Sequence, residues 1–385
     1  MARSLAARHT DKKHPDSRRK ISQMANEQDV LDALTKVKEP DLDEDIVSLN
    51  LVKDLQVNEN RVAFTLSRLA PAVPSESALE ALCRDAISGI SGVSEVEVKT
   101  ELNVSAAART DNQEMLPGVK NSIAIASGKG GVGKSTVAIN MAVTLSRMGA
   151  KVGLLDADIY GPSIPMMAGI EGTVEFENVD GKFLPVEAHG LKIMSIGFLL
   201  KEDQPVIWRG PMAHQALRQF IGDWDWGELD YLILDLPPGT GDIQLTLVQS
   251  IPLSGSVIVC TPQDLALLDA KKGLRMFQQV HTPILGIVEN MSWYVCPHCG
   301  ERTEIFSHGG AKTAAEALQV SFLGEIPMEL EVRVGGDEGR PYMTGENDET
   351  AVGQSYFELS NNLVTEIKKN NHQTSGRGPT ISIKR

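Results

Sequence analysis

A chain of 385 residues, 42% apolar and 23% charged, is long enough for two domains and has the make-up of an ordinary soluble globular protein. Its net charge of −14 argues against a generally basic nucleic-acid binder, and no run approaches the roughly 18 uninterrupted apolar residues of a membrane span. Four cysteines are too few for a disulfide scaffold and no apolar signal core follows Met1, so the expectation is a cytoplasmic protein in a reducing compartment, with neither nucleic acid nor membrane as partner.

The charge is uneven. Arg3, Arg8, Lys12, Lys13, Arg18, Arg19 and Lys20 face only Asp11 and Asp16, so residues 1–25 read as a disordered basic head or as sequence ahead of a true start at Met24. An organelle-targeting segment or a nucleic-acid arm is the alternative. From Asn26 the pattern becomes regular. Val30, Leu31, Leu34 and Val37 recur at helical spacing up to Glu39-Pro40, residues 46–57 form a β-rich run, and Val62, Phe64 and Leu66 alternate as in a strand. Ser77 and Glu80 suggest a capping box for a second helix, which buries Cys83 on its apolar stripe, and Val96, Val98, Thr100, Leu102 and Val104 close the series as a strand. The order αββαβ predicts a small α+β domain over residues 26–104, followed by a linker over 105–120 that contains Pro117-Gly118. The run from Glu39-Pro40 to Ile46-Val47, with Gly92-Val93, resembles a domain linked to iron–sulfur assembly, although Val73-Pro74 stands where many stand-alone members carry Cys-Pro.

Next, Ile123-Ala124-Ile125-Ala126 reads as a buried strand that runs into Ser127-Gly128-Lys129-Gly130-Gly131-Val132-Gly133-Lys134-Ser135-Thr136. This is a phosphate loop: glycines let backbone N–H groups curl around phosphates, Lys134 reaches the β/γ oxygens, Ser135 ligates Mg²⁺, and the following helix aims its positive end at the anion. Gly149 ends that helix. Lys129, a second lysine inside the loop, gives a resemblance to the MinD/ParA/nitrogenase-reductase ATPases. The resemblance implies a homodimer in which Lys129 reaches the partner's ATP. It also makes Asp156-Ala157-Asp158 a switch segment, with Asp158 orienting the attacking water and Asp156 in support, and Asp235 a carboxylate that holds Mg²⁺ through water. The residues after it, Leu236-Pro237-Pro238-Gly239-Thr240-Gly241-Asp242, resemble the second switch, and Asn290 stands where related ATPases read the nucleotide base. Strands near 151–155, 231–235, 256–260 and 284–288 alternate with helices, which predicts an α/β fold with a doubly wound, mostly parallel sheet over residues 121–369.

The remaining chemical signal is Cys296-Pro297-His298-Cys299. C-x-x-C suits a shared metal or cluster, half a zinc knuckle or a redox disulfide. Two cysteines cannot complete a four-thiolate site, and Cys83 and Cys260 lie in core contexts, so a two-fold dimer is the route by which four thiolates meet. In a zinc site His298 or His308 could add ligands. Glu289-Asn290-Met291-Ser292-Trp293-Tyr294-Val295 leading into the pair resembles the Mrp/ApbC branch of these ATPases. That implies a [4Fe-4S] cluster carrier or scaffold with ATP and Mg²⁺, receiving from an iron–sulfur donor and delivering to apo iron–sulfur proteins. A positioning ATPase and an electron-transfer ATPase are the alternatives. Trp208-Arg209-Gly210-Pro211 matches the same family, with Arg209 read as a structural or interface residue. Glu346, Asp348 and Glu349 read as a solvated loop before a helix whose stripe of Val352, Tyr356, Leu359, Leu363 and Ile367 docks on the core, and residues 370–385 as a disordered tail.

Overall fold

The computed structural model describes residues 25–72, 78–108, 115–170, 172, 174–199 and 221–375. The basic head, Val73-Pro74, Ser77, the Arg209 motif and the stretch beyond residue 375 lie outside them. The chain divides into two compact units, one of Met1–Lys38, Asp45–Leu66 and Leu79–Lys99, the other of Glu39–Glu44, Ser67–Ala78 and Thr100–Arg385.

In the first unit the order αββαβ is found: α1 (Glu27–Leu34), β1 (Val52–Asn58), β2 (Arg61–Arg68), α2 (Ala78–Ser88) and β3 (Glu95–Leu102). Helix α1 begins on a reciprocal cap in which Asn26 Oδ1 accepts from Asp29 N at 2.9 Å and Asn26 N donates to the Asp29 carboxylate at 3.3 Å. The three strands pair in the order β1-β2-β3, and Val30, Leu34, Phe64, Cys83 and Ile87 are buried. The β-rich run starts later than its composition suggests. Asp45 Oδ1 accepts from Val47 N and Ser48 N at 3.0 and 2.8 Å, which bends residues 46–50 into turns and leaves only Val52–Asn58 as strand.

The second unit starts with β4 (Val119–Ala126), α3 (Lys134–Arg147), β5 (Val152–Asp156), α4 (Ile164–Met167), β6 (Asn178–Val179), β7 (Lys182–Phe183), β8 (Val186–Ala188) and β9 (Leu191–Ser195). It continues with β10 (Leu229–Asp235), α5 (Asp242–Ser250), β11 (Gly255–Cys260), α6 (Asp264–Gln279), β12 (Ile284–Val295), β13 (Arg302–Thr303), α7 (Gly310–Leu318), β14 (Phe322–Met328), α8 (Leu330–Asp337) and α9 (Ala351–Ser375). The main sheet runs β13-β12-β11-β4-β10-β5-β9-β8, with β14 also on β12; only the β12–β13 and β8–β9 pairs are antiparallel.

Apolar runs without polar breaks suit a sheet covered on both faces. Along β4, Ile123 and Ile125 join one core with Val137, Met141 and Leu145 of α3 and Tyr356, Leu359 and Leu363 of α9. Ala124 and Ala126 point the other way, into a core with Leu232, Leu234, Leu247 and Phe277. Burying each large aliphatic side chain contributes about 1.5–3 kcal/mol. Helix α9 docks through the expected stripe, but it also runs past residue 369 to Ser375. There Asn371, 1% exposed, donates to Asn121 Oδ1 at 2.9 Å and to Ser105 O at 3.0 Å, so the first residues expected in a disordered tail are helical and held. Within the same unit Lys368 is buried in ion pairs with Glu39 and Asp41. No described helix is long and apolar enough to cross a membrane.

This topology fixes the site. Strand β4 sits at the reversal of strand order, with β10 on one side and β11 on the other, and a crevice opens at the carboxyl ends of such strands.

Candidate functional site

Residues 127–133 leave β4 at that crevice and deliver Lys134 as the first residue of α3. Gly131 and Gly133 take φ of +79° and +78°, the left-handed region where a side chain is strained. Ser127 Oγ donates to Lys129 O at 2.9 Å, and Gly239 N donates to Ser127 O at 2.9 Å, tying the segment after β10 to the loop. Nothing lies within 4 Å of a Cβ built on Gly130 or Gly131, so the backbone at the loop's crest is open to a phosphate.

Lys134 is buried, and its Nζ lies 2.5 Å from Asp235 Oδ1 and 3.3 Å from Ser135 Oγ. Asp235 is 0% exposed at the end of β10, and its Oδ2 is buried without a hydrogen-bond partner among the described residues. Burial raises the Asp235 pKa against the opposing pull of Lys134. A buried carboxylate with one unengaged oxygen, close to a serine hydroxyl through the lysine they share, is an oxygen donor set that fits Mg²⁺.

Asp156, at the end of β5, is engaged on both oxygens. Oδ1 accepts from Asp158 N at 3.1 Å; Oδ2 accepts from Ile164 N at 3.2 Å and Ser195 Oγ at 2.9 Å. Burial first, then the charge of Asp235, pushes its pKa up to about 7. Its hydrogen bonds make it the organiser of the turn that leads into α4, and Asp158 is carried by that turn. The Asp158 carboxylate is buried, accepts from Tyr160 N and Gly161 N at 3.2 and 3.3 Å, and its charge is felt at Asp235. Lys129 Nζ reaches Gln263 Oε1 at 3.3 Å. Asn290 donates from Nδ2 to Val132 O at 2.8 Å, which places its amide on the loop's backbone. The structure thus gathers Gly128, Lys129, Gly130, Gly131, Val132, Gly133, Lys134, Ser135, Thr136, Asp158, Asp235 and Asn290 around one crevice; the Asp242 side chain is outside the described residues.

The cysteine pair sits where β12 and β13 meet. Tyr294 and Val295 pair with Thr303 and Arg302, Cys296 N donates to Glu301 O at 3.0 Å, and Gly300, at φ +73°, donates to Cys296 O at 2.8 Å. Hydrogen bonding from the backbone N–H groups of Cys299 and then His298 lowers the Cys296 pKa from the ordinary thiol value, which raises its thiolate share. Cys296 is half-buried and Cys299 exposed, whereas Cys83 and Cys260 are buried thiols pushed up to about 11 and about 12 by desolvation.

Two supports escaped the sequence reading. Ser195 steadies Asp156 from 39 residues away. The other joins His308, named above only as a possible zinc ligand, to two glutamates: ligand atoms of Glu289, His308 and Glu325 lie within 4.8 Å of one another. The group is tied to the chain around it: Glu289 accepts from Gly309 N, Ala311 N and Ser292 Oγ at 3.0, 2.8 and 2.6 Å, and His308 Nε2 lies 2.7 Å from Glu325. Arg302 stacks on Trp293 at 4.6 Å and approaches His308 at 3.0 Å. His308 is therefore a brace of the fold. The one hint in the sequence is Gly309-Gly310, a helix start that has no capping side chain of its own.

A family described as the NUBPL iron-transfer P-loop NTPase matches residues 118–364, and one described as an iron–sulfur cluster assembly protein matches residues 27–99. The chain is 47% identical over 327 residues to an iron–sulfur cluster carrier protein of Synechocystis, covering 84% of this chain and 93% of that one. It is 46% identical over 271 residues to the iron–sulfur cluster transfer protein NUBPL of Dictyostelium discoideum, covering 70% and 84%. A nucleotide-binding protein from Archaeoglobus fulgidus, solved in complex with ADP, superposes with a TM-score of 0.55 at 42% identity, over 63% of this chain and 96% of that one.

Proposed function

The chain belongs to the NUBPL family of iron-transfer P-loop NTPases, and from that premise we propose that it is an ATP-hydrolysing carrier of [4Fe-4S] clusters that works as a homodimer. The observation that carries the reading is the Cys296–Cys299 hairpin: the chain's only two thiols that are not buried, one of them held toward thiolate by backbone N–H groups, project from the sheet that also bears the phosphate loop.

ATP binds with its phosphates over residues 128–136. Lys134 exchanges Asp235 for the β/γ oxygens, and the N–H groups of the loop and of the first turn of α3 hold the remaining charge. Ser135 and Asp235 would hold Mg²⁺, which when bound supplies charge neutralisation between the phosphates. Asp158 orients a water in line with the γ-phosphorus; the new P–O bond forms as the bond to ADP breaks, and ADP leaves with the electron pair. Lys129 leaves Gln263 to reach the partner's nucleotide. Cys296 and Cys299 of two chains supply four thiolates to one cluster, which is cargo: it arrives from an iron–sulfur donor and departs to an apo iron–sulfur protein.

Anaerobic reconstitution followed by counting of iron, sulfide and zinc tests this. About one [4Fe-4S] cluster per two chains is expected, lost in Cys296→Ala and Cys299→Ala. Zinc without sulfide, or a cluster that survives both substitutions, would overturn the reading.

A further inference from the structure

One strand passes both ends of the proposed chemistry. Where β12 crosses the phosphate loop, Asn290 Nδ2 donates to Val132 O at 2.8 Å. The approach is so close that a Cβ on Gly133 would stand 2.3 Å from that nitrogen and 3.5 Å from Met291 Cε. The loop backbone cannot shift around a phosphate without moving or breaking the contact with Asn290.

The next residue, Met291, has φ +58° inside the strand. The pairing of β12 with β14 loses register between Asn290 and Tyr294, so a bulge separates the part of β12 fixed to the loop from the part that carries the cysteines. Within the bulge Ser292 Oγ donates to Glu289 at 2.6 Å and lies 3.1 Å from Glu325 on β14. Beyond the bulge the chain is held again, where Tyr294 and Val295 enter the hairpin with Thr303 and Arg302. A strained residue between two anchored segments is a place where a backbone can hold one of two settings.

We propose that Asn290 and Met291 are positioning residues, forming a joint through which the conformation of the phosphate loop sets how the Cys296–Cys299 hairpin presents its thiols. Asn290 then acts through the loop backbone. The purpose of the joint rests on the carrier reading, but its existence can be measured on protein without a cluster.

The test is the rate of Cys296 alkylation by iodoacetamide at fixed pH in the cluster-free full chain, with no nucleotide, with saturating Mg-ADP and with a saturating non-hydrolysable ATP analogue. The wild-type rates should differ between states by about fivefold or more, the lower end of ordinary coupling between sites. In Asn290→Ala, at nucleotide concentrations shown to saturate the variant, the ratio should fall toward one. Met291→Gly relieves the left-handed strain and keeps the Asn290–Val132 hydrogen bond; its ratio should also fall, and it serves if Asn290→Ala fails to fold or to bind nucleotide. Equal wild-type rates in all three states overturn the coupling. Unchanged ratios in both variants overturn the joint. Failure of cluster reconstitution would sink the carrier reading alone, because these rates are read without a cluster.

Discussion

Lys134→Met should destabilise the nucleotide-free protein sharply, for a reason separate from ATP binding. Lys134 and Asp235 are 6% and 0% exposed with 2.5 Å between Nζ and Oδ1, so removing the ammonium strands a carboxylate in the core. Breaking a buried ion pair from one side costs about 3–5 kcal/mol. In a unit of this size each kcal/mol moves the unfolding midpoint by about 2–4 °C, which gives a fall of roughly 6–20 °C. The fall should deepen with pH. Burial already raises the folded-state pKa of Asp235, and without Lys134 it rises further. A raised carboxyl contributes stability that is complete below its unfolded pKa and lost as pH climbs through the folded value. The variant should therefore lose less at pH 5 than at pH 8. Thermal unfolding in EDTA at both pH values measures this, with Lys134→Met/Asp235→Asn as the cycle partner that restores much of the loss. A single variant melting within about 1 °C of wild type at pH 8 would refute the argument.

Three further outcomes follow from the same geometry. Gly133→Ala places a side chain at φ +78° and 2.3 Å from Asn290 Nδ2; about 1–2 kcal/mol of backbone strain plus the displaced amide should weaken nucleotide binding by about tenfold or more in calorimetry. Iodoacetamide at pH 7.5 should modify Cys296 first and Cys83 and Cys260 only after denaturation, since the first thiol is lowered and the other two are pushed up to about 11 and about 12; peptide mapping that finds Cys260 alkylated early in native protein would contradict this. Glu289→Ala leaves Gly309 N and Ala311 N without their acceptor and should cost about 1–3 kcal/mol in urea unfolding, whereas Glu289→Gln, which keeps an acceptor oxygen, should cost less.

The parts legible in the sequence are those whose chemistry runs along the chain. A phosphate is held by successive backbone N–H groups, so residues 128–136 are contiguous, and a strand that ends in a carboxylate leaves the run before Asp235 as its mark. The alternation of buried strands and helices likewise gave the layer order. Partners brought together by folding left no such mark: Ser195 and Asp156 are 39 residues apart, Glu289 and Ala311 22, Lys368 and Glu39 329. Local polar chemistry also outbid composition, as at Asp45, whose side chain bends a β-rich run into turns. The polar residues that made 370–375 look like a tail include Asn371, and its amide is what secures the end of the helix.

Helix α9 has a consequence for how the protein is made. Its Tyr356, which packs in the same core as α3 and points its hydroxyl at Thr136 O, is synthesised 220 residues after Thr136. At ordinary translation speeds the phosphate-loop helix therefore waits roughly 10–40 s with one apolar flank bare. A nascent chain in that interval has its phosphate loop yet lacks the wall behind it. It is at that moment that chaperones would be needed most, and a stop codon anywhere before residue 351 would leave the same exposed flank permanently.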